Sequence, residues 1–225
     1  MSTTSSDPSR TPRLVLAILV VAVVATPVLA YPYVLVDRGA SRIQGQSDLM
    51  WPFLVVHVPL AATTMILGAL QLVPRVRAHR AVHRRIGRVF LALGTAAFVL
   101  TGIPLALTTP SGDLTRYGVL VPALAWPVLA VVAVRAVRRR DVVRHREWML
   151  RLYALTFFAI TARMVTPLLL LLQVPVMGRW YDGDVQAAVS ASIPYGQWLG
   201  WMVNLLVAEA VIRRTRARRT NRTDW

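Results

Sequence analysis

Apolar runs separated by shorter polar connections make up most of the chain. Six of them, at about residues 14–36, 51–73, 89–109, 117–134, 150–172 and 197–212, approach the roughly 20 residues a helix needs to cross a bilayer. The fourth and sixth are the shortest. Helices are expected because a backbone in lipid must satisfy its own hydrogen bonds. The predicted fold class is all-α: a polytopic transmembrane helical bundle of six transmembrane helices. It occupies residues 14–213 as a single domain, between a disordered tail (1–13) and a basic tail (214–225). Prolines at 104, 122, 127 and 167 predict kinked or interrupted helices. The connection 173–195 is read as a solvated loop, with Trp180 and Tyr181 at the interface and Asp182 and Asp184 in water.

Composition supports a membrane class and adds an orientation. The chain is 56% hydrophobic with a mean hydropathy of +0.52, which is too apolar for an ordinary soluble domain. All 26 basic residues are arginine, and the formal net charge is +16. Two arginines precede the first run, six lie between the second and third, seven (Arg151 included) between the fourth and fifth, and six follow the sixth. The remaining connections hold only Arg38, Arg42, Arg116 and Arg179. Basic connections stay cytoplasmic, so the expected topology has both termini inside, N-in and C-in, in a bacterial plasma membrane. Arginine split into clusters between apolar runs excludes nucleic acid as a partner. The partners this reading allows are the bilayer, anionic lipid headgroups at the basic connections, a small-molecule anion and a second copy of the chain. With no cysteine, disulfides and thiolate metal sites are excluded. Arg10 and Arg13 before an apolar run ending Val28-Leu29-Ala30 also fit a signal peptide. The length of the run and the crowding by Pro27 and Pro32 favour an uncleaved anchor.

Ionisable residues inside spans cost roughly 2.5–3.5 kcal/mol each and so point to function. Two occur, Arg163 in the fifth span and Glu209 in the sixth, with His57 and Asn204 as polar company. At about 1.5 Å per residue, His57, Asn204 and Arg163 lie about 9, 11 and 13 Å from the outer face. Glu209 is deeper and nearer the cytoplasm. His57, Ala61, Thr64, Gly68 and Gln71 share a helix face, as do Tyr153, Thr156, Arg163 and Thr166, and Gln197, Gly200 and Asn204. Three such stripes allow a polar interior in which Arg163 binds an anion, such as a carboxylate, a phosphate or a haem propionate. The bland alternative has Arg163 snorkelling to Asp182 or Asp184 and His57 bonding a carbonyl.

At the cytoplasmic side the stretch RAHRAVHRRIGR (77–88) carries His79 and His83, and His145 opens the other basic connection. With Glu209 these imidazoles make candidate metal ligands (His83, His145 and Glu209) or a haem b site. The neighbouring arginines oppose a second cation. His79 is read as a passenger in a charged, topology-setting loop.

HRRIGR at 83–88, DVVRHREWMLRLYALTFFAITARMVTP at 141–167 and WMVNLLVAEAVIRR at 201–214 resemble a bacterial family of multi-pass membrane proteins catalogued as domain of unknown function 2306. The resemblance runs from about residue 51 onward. It implies that His57, His83, Arg88, His145, Trp148, Arg151, Tyr153, Arg163, Asn204 and Glu209 are characteristic polar positions, but it implies no activity. Three functions fit the residues, the first slightly ahead of two alternatives. One is a cytochrome b-like redox protein using His83, His145 or His57, with Arg163 and Asn204 beside the cofactor. Another is a non-redox enzyme acting on a lipid-soluble substrate, with Glu209 or His57 as acid or base and Arg163 steering it. The last is a small transporter or accessory subunit that binds an organic anion.

Overall fold

A computed structural model describes residues 13–41 and 47–223, so the predicted tail at 1–13 lies almost wholly outside the described residues. The described elements are helical. In chain order they are α1 (Arg13–Val34), α2 (Trp51–Leu72), the short α3 (Pro74–Ala78), α4 (Arg80–Thr95) and a π-helical turn (Ala96–Gly102). After these come α5 (Ile103–Leu107), α6 (Gly112–Arg138), α7 (Val142–Thr156), α8 (Phe158–Gln173), a 3₁₀ turn (Val174–Val176), α9 (Met177–Tyr181) and α10 (Val185–Thr223). They group into two compact units, residues 1–101 and 102–225.

In the first unit α2 packs against both α1 and α4. Ala22, Ala30, Leu54, Met65, Ala69 and Phe90 form its core. Tyr33 stacks at a tilt on Trp51, with ring centroids 6.2 Å apart. The second unit is built around α10, which packs on α8, α6 and α7. Trp126 is fully buried there, and its indole N–H donates to Thr156 Oγ1 at 3.0 Å.

What these helices expose is apolar. α8 buries only Ile160 and Ala162 among its residues, while Met164, Leu168, Leu171 and Leu172 are exposed. A helix that is apolar on its outward face is one made for lipid. Among the described residues five stretches are long and apolar enough to cross a membrane: Val15–Val34, Trp51–Leu72, Arg80–Leu107, Gly112–Arg138 and Phe158–Tyr181. The predicted sixth span lies within α10. Gln197, Asn204 and Glu209 dilute its apolar run, so length and composition alone support five.

Three local expectations change. The fifth predicted span is two helices with a break at Phe157, and its apolar stretch starts at Phe158 and runs to Tyr181. Pro122, Pro127 and Pro167 stay inside unbroken helices. Of the four prolines only Pro104 follows an irregular turn, the π-helix at Ala96–Gly102. Its ring excludes the normal approach to the carbonyl four residues earlier, and a widened turn relieves that clash. Most of the connection predicted as a solvated loop is helical as well. Asp182 (φ 49°) and Gly183 (φ 81°) make its one left-handed turn. Asp184 then starts α10 by accepting from the backbone N–H groups of Gln186 and Ala187 at 2.8 and 3.0 Å.

Candidate functional site

The polar chemistry of the second unit gathers along the seam between α7 and α10. α7 begins at Asp141, whose side chain accepts from the Arg144 backbone N–H at 2.9 Å. One turn apart on the next stretch stand Glu147 and Arg151, so both reach the same neighbour. α10 presents Glu209 and Arg216, two turns apart. The pairs cross. Arg151 donates through Nε and Nη2 to the two carboxylate oxygens of Glu209 at 2.5 and 3.1 Å. Arg216 donates in the same two-pronged way to Glu147, with Nε at 2.7 Å from Oε1 and Nη2 on Oε2. The order of the partners, 147 with 216 and 151 with 209, makes the helices antiparallel.

Each helix thus gives one acid and one base, and a helix slipped by one turn would lose both forks. The pairs differ in exposure. Arg151 is 17% and Glu209 36% exposed, whereas Arg216 is 62% and Glu147 12% exposed. The Arg216 guanidinium bonded to Glu147 holds that carboxyl below its usual range and outweighs the opposing effect of burial. Glu147 in turn raises Arg216 above its usual value. The Arg151 guanidinium also lies over the Trp148 ring, 4.6 Å from its centroid.

Higher along the same seam Asn204 serves the break at Phe157. Its amide donates to Ala154 O at 3.1 Å, and its oxygen accepts from Thr161 Oγ1 at 2.9 Å. Ala154 is in the last turn of α7, where carbonyls have no partner within the helix. Gly196 and Gly200 continue the face that holds Asn204 and bring α10 against α8. A Cβ on Gly200 would lie 2.9 Å from the Ala162 backbone nitrogen, and one on Gly196 would collide with Thr166 Oγ1. On its other side α10 is fastened to α6. Trp198 donates to Leu114 O at 3.0 Å and Trp201 to Gly118 O at 3.1 Å.

The remaining residues singled out from the sequence fall as follows. Arg163 is exposed, and its Nη1 donates to Ala159 O in its own helix at 3.0 Å. The break at Phe157 ends the predicted stripe, leaving Tyr153 and Thr156 buried and Arg163 outside. His145 donates from Nδ1 to Ala133 O at 2.9 Å, across the α6–α7 hairpin. His79 Nδ1 does the same to Arg75 O at 2.9 Å, on an exposed turn. In the first unit His57 Nδ1 sits 3.0 Å from both Ala97 O and Thr101 Oγ1 on the π-helical turn. The His83 carbonyl accepts from the Gln71 amide at 3.2 Å. His57 and Gln71 are 14 residues apart on α2, so the levels of His57 and His83 differ by about 21 Å. No group of three or more His, Asp or Glu side chains suited to a metal occurs among the described residues.

Glu147 and Arg216 are the site residues that reading the sequence missed. Only Glu147 carried a signal, its rarity, since Glu147 and Glu209 are the chain's only two glutamates, whereas Arg216 is one of 26 arginines.

Residues 54–212 match the family described as "Predicted membrane protein (DUF2306)". The chain belongs to this family. The matched segment begins inside α2, ends inside α10 and takes in the π-helical turn, the break at Phe157 and both glutamates. As a DUF2306 protein it is a membrane protein with several apolar helices. Neither the curated proteins nor the solved structures contain a match.

Proposed function

We propose that this DUF2306 protein is a six-span protein of a bacterial plasma membrane, with both termini and both arginine-rich connections in the cytoplasm, that carries an organic anion. The sixth span is the stretch of α10 at residues 197–212, whose Asn204 and Glu209 are engaged by α7 and α8 rather than by lipid. The observation that carries the reading is the break at Phe157, where the fifth apolar stretch begins, attended by Asn204 and Thr161, with the exposed Arg163 in the next turn of α8. Broken helices with polar neighbours are where carriers bind small ions, because the halves present unpaired backbone groups there. Arg163, in the second turn of α8, supplies the positive charge.

Uptake of labelled mono- and dicarboxylates into proteoliposomes tests this. Transport by the wild type that falls at least tenfold in both Asn204→Ala and Arg163→Ala is the expected result. Uptake indifferent to both substitutions defeats the reading.

A redox function ranks second. In its favour, His145 uses Nδ1 on a carbonyl, the tautomer that leaves Nε2 as a ligand. Against it, a bis-histidine haem needs two imidazoles at one level. His57 and His83 of the first unit differ in level by about 21 Å, so a bis-histidine haem would have to use His83 with His145 of the second unit. A Soret band in protein purified after haem-replete expression would reinstate it. The enzyme reading ranks last, because both oxygens of Glu209 are held by Arg151, which leaves His57 as its acid or base.

A further inference from the structure

The arginine-rich ends of α7 and α10 enclose a groove of about 690 Å³, distinct from the break at Phe157. Arg144, Glu147, Trp148, Arg151, Arg216 and Arg219 line it. Its size is that of a small-molecule site. Two of the four guanidinium groups are matched: Arg151 by Glu209 and Arg216 by Glu147. Arg144 and Arg219 form no ion pair among the described residues, and both are exposed. Asp141 also lines the groove, but its carboxylate accepts from the Arg144 backbone N–H as the cap of α7. The groove therefore combines two unmatched guanidinium forks with an indole that already carries a cation on one face. Val143, 47% exposed, adds an apolar rim. The amino-terminal end of α7 adds the positive end of a helix dipole.

The geometry points to a binding site in this groove for a phosphate-bearing ligand of net negative charge, with Arg144 and Arg219 taking the phosphate and Val143 and Trp148 lining the rest. Planar guanidinium forks match phosphate oxygens two at a time. The same chemistry comes from two sources, the headgroup of an anionic phospholipid and a soluble organophosphate. The site is independent of the carrier reading, and either stands if the other fails.

The test uses full-length protein in zwitterionic phosphatidylcholine nanodiscs, with its thermal unfolding followed in two titrations. One adds phosphatidylglycerol to the nanodisc, and the other adds glycerol 3-phosphate to the buffer. A saturable upward shift with either probe is expected, and which probe produces it identifies the source. The double substitution Arg144→Ala/Arg219→Ala weakens that response at least tenfold. Arg138→Ala/Arg139→Ala, which removes two arginines outside the groove, changes it less than twofold. Both targets are exposed and form no ion pair, so unfolding without probe stays near wild type and reports that the variant folds. Arg144→Lys/Arg219→Lys keeps the charge but not the forks and responds in between. Equal losses in the two alanine doubles would make the effect one of general surface charge and overturn the site, as would no shift with either probe.

Discussion

Glu209 shows how a residue's surroundings decide its role. A lone carboxylate within a span has the makings of a proton-transfer group, yet here both oxygens are taken by one guanidinium. Removing either partner leaves the other uncompensated in a place only partly open to water. Arg151→Ala and Glu209→Ala should each cost about 1–2 kcal/mol, discounted from the buried-pair range for exposure. A double-mutant cycle on thermal unfolding measures the coupling, and the exchange Arg151→Glu/Glu209→Arg recovers part of it. Glu147 makes a pH prediction with a definite sign. Its carboxyl is held below the ordinary 4.5 by Arg216, so the stability it contributes is present above that value and lost as pH falls through the lowered one. The difference in unfolding temperature between wild type and Glu147→Gln should stay constant from about pH 8 to about pH 5, and shrink only below the ordinary glutamate range. Composition told less at this scale. Among 26 arginines none announces its partner, and only the scarcity of glutamate marks the pairs. Of the histidines, His79 and His145 bond carbonyls on their own hairpins, a use that no spacing in the sequence distinguishes from ligation.

The elements were legible in proportion to how local their causes are. Apolar runs predict most of the spans, because burial in lipid needs only length and composition. The π-helical turn lies just before Pro104 and has a cause within one turn of chain. The break at Phe157 was not legible, since no proline or glycine sits there. It coincides with contacts from elsewhere in the chain, Trp126 to Thr156 and Asn204 to Ala154. Asn204→Leu should therefore destabilise the α8–α10 contact by about 1 kcal/mol, as expected for a neutral hydrogen bond between helices in a membrane. Gly200→Val should do more, about 1–3 kcal/mol, because its Cβ meets the Ala162 backbone at 2.9 Å rather than a side chain that is free to turn away. Unfolding temperature in detergent ranks the two, and the opposite order would locate the contact's strength in Asn204 instead of the glycine face.

For the whole molecule the open prediction is its orientation, and the cysteine-free chain makes it easy to test. Single cysteines placed at Arg84, Arg179 and Arg218 have no background to compete with. Under the proposed topology a membrane-impermeant maleimide labels Arg179→Cys on intact cells, and labels Arg84→Cys and Arg218→Cys only after permeabilisation. The reverse pattern inverts the protein. Orientation gives α10 a further meaning. Its 39 residues make about 58 Å of continuous helix, against about 30 Å of hydrocarbon. If the sixth span is as proposed, a rod gripped at Asn204 and again at Glu209 and Arg216 is a lever with its fulcrum in the membrane. From Asn204 to Arg219 the arm is about 22 Å, so a tilt of about 10° swings the inner tip sideways by about 4 Å. The same tilt moves Arg216 by about 3 Å, roughly the length of a contact in its fork with Glu147, but moves Glu209 by only about 1 Å. Under the proposed topology, a tilt of α10 has to break the Arg216–Glu147 fork before it disturbs the Arg151–Glu209 fork.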